Sequence, residues 1–303
     1  MLALLCSGQG TQHPGMFRLT GDCAAAEPVF AAAAALLGAD PRDWVQTADT
    51  EAMRRNRPAQ ILCVTQALTA RRLIASALPD RFLAAGYSVG QVSAWGIAGL
   101  LEDAPLLALA ARRAELMDRT GGEHDGLVSV RGLPRDRVEA LARLKDVEIA
   151  IVNPGDGYIL GGRAEATEAF RDAALEAGAI RSTLLAVSVA SHTSRLAAAV
   201  PGLRDAITTA DPRAPGGPVT LIDGLEGATL FTRDKAIDTL SRQIAEPVHW
   251  DACLAALTER GATAFLELGP GRALADMAGA AARSIEDFAS ADGLLDWLSR
   301  LEQ

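Results

Sequence analysis

The stretch AAGYSVGQVSAWGIAGLL, residues 84–101, sets Ser88 between Gly86 and Gly90 at the end of an apolar run, with small residues following at helical spacing. A Gly-x-Ser-x-Gly pattern between a strand and a helix has a physical reason. The serine takes a strained backbone conformation on a sharp turn, its neighbours must be small, and its hydroxyl is exposed at a helix N-terminus. Backbone N–H groups there are free to stabilise an oxyanion. The bland alternative is a tight turn with serine as an N-cap. The pattern alone does not separate the two.

Working outward, RFLAAGYS predicts a strand before the serine, and the apolar spacing predicts helices over about 89–100 and 104–119. The apolar run 2–6 is a first strand, followed by the glycine loop SGQGTQHPG. Alanine-rich helical patterns follow over about 24–37 and 59–77. Strand, glycine loop and helix recurring in this way indicate an α/β fold with a parallel sheet, whose ligands bind beyond the carboxyl ends of the strands. The rhythm then changes. GLVSVRGL, VEIAIVNP, GYILGG and STLLAVSVA read as strands, and PRDRVEALARL and RAEATEAFRDAALEAGA as helices. The order β-α-β-β-α-β across about 125–190 is that of a small ferredoxin-like unit. The expected fold is therefore a hydrolase-like α/β domain, residues 1–124 and 191–303, with a ferredoxin-like subdomain inserted at 125–190. Beyond 191 come an apolar strand near 219–223, helices near 234–245 and 251–260, and the strand AFLEL running into GPGR.

With 303 residues, 49% hydrophobic and 22% charged, the composition is that of a globular protein with a substantial core. A net charge of −9 argues against non-specific nucleic-acid or anionic-membrane binding. Cys6, Cys23, Cys63 and Cys253 are scattered with no Cys-x-x-Cys pair, which suits reduced thiols and a cytoplasmic location. No apolar run approaches the roughly 20 residues a bilayer span needs. The cysteines and histidines show no metal-ligand spacing, so no metal is expected. The loop around Gly8 and Gly10 fits neither dinucleotide nor Walker templates, since His13 stands where the third glycine belongs.

A serine nucleophile needs a base. Of the four histidines, His13 sits in the first glycine loop, His124 in the polar stretch GGEHDG, and His249 near a helix start. His192, in SVASHTSRL, follows an apolar strand and opens a helix, the placement Ser88 has. Arg113 falls on the apolar stripe of its helix with Leu106, Leu109, Ala110, Leu116 and Met117, whereas Arg112 faces solvent with Glu115. A buried guanidinium needs a partner, and its fork suits a carboxylate. That partner is either an acidic side chain of this chain or the carboxylate of a substrate.

Together these residues resemble the malonyl-CoA:acyl carrier protein transacylase family along nearly the whole chain. The resemblance is carried in order by SGQGTQ at 7–12, GYSVG at 86–90, Arg113, NPGDGYILGG at 153–162, ASH at 190–192, EPVHW at 246–250 and ELGPGRAL at 267–274. It implies Ser88 as acylated nucleophile, His192 as general base, Arg113 as partner of the malonyl carboxylate, and the backbone N–H groups of Gln9 and Val89 as oxyanion hole. It further implies that a backbone carbonyl, that of His249, orients His192, and that Asn153 lies toward the acceptor-side cleft. The implied activity moves malonyl from malonyl-CoA, a substrate, to the thiol of an acyl carrier protein, with no cofactor. Two positions depart from the family's His-Ser-x-Gly-Glu. Tyr87 resembles the transacylase (epsilon) subunit of malonate decarboxylase, which implies that enzyme's carrier and other subunits as partners. Gln91 matches neither pattern. The alternatives are a transacylase of fatty-acid or polyketide synthesis with the same chemistry, a true serine hydrolase, and a non-catalytic binding subunit.

Overall fold

The computed structural model describes residues 1–122 and 124–302. Its strands are β1 (Leu2–Cys6), β2 (Phe82–Gly86), β3 (Asp125–Arg131), β4 (Glu148–Asn153), β5 (Gly157–Arg163), β6 (Arg181–Leu184), β7 (Val219–Ile222), β8 (Val248–His249), β9 (Ala264–Glu267) and β10 (Ala282–Ser284). β1 and β2 are buried along their whole length, as parallel strands covered on both faces must be. They form the centre of a parallel sheet ordered β10-β9-β1-β2-β7. Alternation along β1 sorts its side chains by face. Leu2, Leu4 and Cys6 enter the core that holds helices Asn56–Leu73 and Asp103–Thr120, while Ala3 and Leu5 enter the core shared with Trp250.

The second sheet is ordered β6-β3-β5-β4-β8, with β3, β4, β5 and β6 antiparallel. Helices Arg135–Lys145 and Ala164–Glu176 supply the two α members, completing the β-α-β-β-α-β unit, and their apolar stripes meet a separate core around Val138, Leu160 and Phe170. β8 belongs to the chain after the excursion, yet it pairs in parallel with β4, Val152 opposite His249. The excursion is therefore fastened to the rest of the chain by backbone hydrogen bonds as well as by side chains. Leu127, Ala150 and Ile151 of the second sheet share one cluster with Leu5, Leu83 and Ala85 of the first.

Three expectations change. STLLAVSVA is not one strand: β6 ends at Leu184, and although Leu185 N–H still reaches Leu127 O of β3, Val187 N–H then closes a tight turn onto Leu185 O. His192 consequently follows a non-ladder segment and precedes a 3-10 turn, Ser194–Ala199, rather than joining a strand to an α-helix. Two short helices, Pro41–Thr47 and Thr50–Arg54, and the pair β10 and helix Ala291–Ser299 add elements outside the sequence reading. Among the described residues no helix is long and apolar enough to cross a membrane.

Trp250 is fully buried, and Tyr87 stands edge-on to it with ring centroids 5.5 Å apart. Trp250→Ala removes the largest side chain of the shared cluster, and urea unfolding should register a loss of about 3–5 kcal/mol.

Candidate active site

β2 ends at Gly86 and a helix begins at Gly90, leaving three residues for a reversal of direction. Ser88 makes that turn at φ 56°, in the left-handed region. The flanking glycines answer a different need. A β-carbon on Gly86 would lie 2.1 Å from the backbone of Gly90, and one on Gly90 would lie 2.0 Å from Cys6 O. Both are required by close approach of β2, β1 and the helix.

Ser88 Oγ lies 2.7 Å from His192 Nε2. The opposite ring nitrogen, Nδ1, donates to Gln243 O at 2.5 Å, which assigns the tautomer and leaves Nε2 as acceptor for the serine proton. His192 is itself held at φ 64°, with its N–H donating to Ile244 O. The expectation that His249 supplies the orienting carbonyl is corrected: His249 N–H donates to Gly224 O and the residue caps helix Trp250–Glu259. The carbonyl comes instead from the end of helix Arg233–Arg242, whose C-cap is Gln243. The last carbonyls of a helix have no partner within it: that of the C-cap Gln243 is spent on the ring of His192, and that of Ile244, just beyond the cap, on its backbone N–H. Burial foremost, and the nearby positive charge of Arg113, pull the His192 pKa to about 3 against the opposing Gln243 hydrogen bond. The ring is neutral at any ordinary pH and ready to accept a proton.

Arg113 is 1% exposed on helix Asp103–Thr120. Its Nη1 donates to Gln60 Oε1 at 2.8 Å, while among the described residues Nε and Nη2 have no partner. Among the described residues no carboxylate lies within ion-pair distance of it, so the structural ion pair weighed from the sequence is not formed. Burial lowers its pKa to about 10, which still leaves it charged near neutrality. A buried cation with one open edge is costly unless an anion arrives.

Gln9 follows β1 in the loop beside the serine turn, and Val89 follows Ser88. Among the described residues neither N–H has a protein acceptor. Gln9, Tyr87 and Asn153 line a cleft of about 710 Å³ whose walls come from both sheets. Asn153 stands at the end of β4, and burial pushes the Tyr87 phenol well above its usual range. His13 pairs with Glu286 at 2.9 Å and His124 is exposed, so neither takes part.

Two residues the sequence reading left without a role acquire one. Gln91, 2% exposed, accepts from Gly86 N–H through Oε1 and donates to Ile222 O through Nε2. It ties the ends of β2 and β7 beneath the serine turn. A glutamate would have no hydrogen for Ile222 O unless protonated. Glu267, at the end of β9, accepts from Ser7 Oγ at 2.7 Å and from Ala275 N–H at 2.8 Å, and burial raises its pKa to about 7. It anchors the start of the loop that carries Gln9.

Residues 3–296 match the acyl transferase domain family. The chain belongs to that family. It is 33% identical to malonyl CoA-acyl carrier protein transacylase of Mycobacterium tuberculosis, over 97% of this chain and 99% of that one. The Escherichia coli K12 protein of the same name is 28% identical over 90% of each. Among solved structures, the M. tuberculosis transacylase superposes with a TM-score of 0.89 at 31% identity, covering 99% of both chains. A malonyl-transacylase solved in complex with a type II polyketide acyl-carrier protein gives a TM-score of 0.89 at 26% identity, covering 97% and 99%. The enzyme is an acyltransferase of the type these relatives represent.

The pair Ser88–His192 should react with a fluorophosphonate probe, and Ser88→Ala should not. Because His192 is neutral down to about pH 3, the labelling rate should show no histidine limb near 6.5. Arg113→Ala removes a like charge, so the limb should move to higher pH while burial keeps it below 6.5. Stopped labelling between pH 4 and 8 reads both effects.

Proposed function

We propose that the enzyme transfers the malonyl group of malonyl-CoA, through an ester on Ser88, to the thiol of an acyl carrier protein. The observation that carries this reading is the open edge of Arg113, buried beside a hydrogen-bonded serine–histidine pair. A substrate needs a thioester for the serine and a carboxylate for the arginine, and malonyl-CoA has both. The relatives carrying the transacylase name support the same choice.

His192 Nε2 takes the Ser88 proton as Oγ attacks the thioester carbon. The resulting oxyanion is received by the N–H groups of Gln9 and Val89. Collapse breaks the C–S bond, and His192 Nε2 gives its proton to the departing sulfur, so that CoA leaves as the thiol and the ring is neutral again. The carrier thiol then gives its proton to the same nitrogen and attacks the ester. The second collapse returns the proton to Ser88 Oγ. Arg113 holds the terminal carboxylate throughout, with two parallel bonds from Nε and Nη2. Acetyl would leave that buried cation unpaired, which penalises it.

The carrier of malonate decarboxylase is the finer reading, resting on Tyr87, whose ring packs edge-on against Trp250. Transfer assays with a phosphopantetheine carrier and with a carrier bearing the modified dephospho-CoA group separate the two, the faster acceptor naming the partner. A chain that releases malonate rapidly to water with both carriers present is a hydrolase, and the transferase reading then fails.

Intact mass after malonyl-CoA addition should show one malonyl group on the wild type and none on Ser88→Ala. Arg113→Ala should lower kcat/KM for malonyl-CoA by about 100-fold or more with acetyl-CoA little changed. An unchanged malonyl-to-acetyl ratio removes Arg113 from the reading.

A further inference from the structure

Arg113 owes its open edge to three side chains that the transfer chemistry does not use. Gln60, fully buried on helix Asn56–Leu73, accepts from Arg113 Nη1 through Oε1 and donates through Nε2 to Asn56 Oδ1 at 2.7 Å. Asn56 donates through Nδ2 to Asp118 Oδ1 at 2.8 Å and to Ala114 O at 3.2 Å. Asp118 closes the chain at an exposed position near the end of the arginine's own helix.

Each amide in this chain has an acceptor end and a donor end of nearly equal shape, so shape does not decide which end meets the guanidinium. The ends of the chain decide it. An ionised carboxylate and a backbone carbonyl only accept, so Asn56 turns Nδ2 toward Asp118 and Ala114. Its Oδ1 is then the group left for Gln60, and only the Nε2 of Gln60 can meet it. Gln60 Oε1 is thereby turned to Arg113. In the opposite sense the chain would set N–H donors against N–H donors. The outcome is specific: Nη1 is occupied by a neutral acceptor, the positive charge is not cancelled, and Nε and Nη2 stay open. A carboxylate at position 60 would hold Arg113 equally well and neutralise it.

We infer that Asn56 and Asp118 are positioning residues for acyl selectivity, fixing the sense of the Gln60 amide so that Arg113 presents its Nε–Nη2 edge to the terminal carboxylate of the acyl group. The inference rests on the reading of Arg113 as partner of that carboxylate. It places the outermost member of a buried specificity element at the surface, where substitution leaves the core untouched.

The test is Ser88 acylation by malonyl-CoA and by acetyl-CoA, with kcat and KM determined for each. Asp118→Asn keeps the shape but offers a donor as well as an acceptor, and should raise the malonyl KM about 3- to 10-fold with kcat and acetyl loading nearly unchanged. Asn56→Ala should give the same split more strongly, and Asp118→Glu should restore wild-type selectivity. Gln60→Glu should suppress malonyl loading at least 100-fold while acetyl loading persists, which also shows that the variant is folded. If Asp118→Asn and Asn56→Ala keep the wild-type malonyl-to-acetyl ratio, or lose both substrates together, the positioning role is refuted. A wild type with no preference for malonyl overturns the Arg113 reading itself, and the role of the amide chain with it.

Discussion

The approach of Gly90 to the carbonyl of Cys6 leaves no room for a β-carbon, and the site is assembled around that contact. It lets the helix after the serine start against the end of β1, which packs the turn so tightly that Ser88 is forced to a positive φ. The same contact draws the two strand ends, and with them the loop of Gln9 and the turn of Val89, to one edge of the sheet. Gln91 and Glu267 brace this edge from beneath and from the side. The strain in the serine turn is thus held by backbone packing and by two buried side chains with defined partners.

The base reaches the same place by a different route. Among the described residues no carboxylate orients His192. A helix end, whose final carbonyls are unpaired by construction, provides the acceptor at Gln243 O. A carboxylate there would have raised the basicity of the ring and placed a negative charge close to Arg113, where the proposed acyl carboxylate would sit. A neutral carbonyl fixes the tautomer without opposing that anion.

Much of this was legible in the sequence because it follows from local periodicity and from steric necessity. The Gly-x-Ser-x-Gly turn, the parallel strands and the placement of Arg113 on an apolar stripe each depend on residues close together in the chain. The β-α-β-β-α-β order was readable for the same reason, although the run of apolar residues after β6 disguised the point at which the ladder ends. What was not legible depends on distant pairings. Gln243 lies in a polar helix end with nothing to mark its carbonyl, so the orienting group was assigned to His249 in a neighbouring motif. Gln60 and Asn56 look like ordinary polar residues until the fold brings them to Arg113 and Asp118. The helices begun by Asp40 and Asp49 carry clear capping signals, but they are too short for periodicity to reveal.

The closeness of Arg113 to His192 ties recognition to reactivity. In the empty site the uncompensated guanidinium is one of the two influences that hold the ring's proton affinity down. Any anion seated on the arginine cancels that influence, and the imidazole becomes a stronger base at the moment an acidic acyl group is in place. A neutral acyl group of similar size would find the weaker base. Under the proposed role of Arg113, one charge discriminates twice, once in how firmly the acyl chain is held and once in how readily the serine is activated beside it.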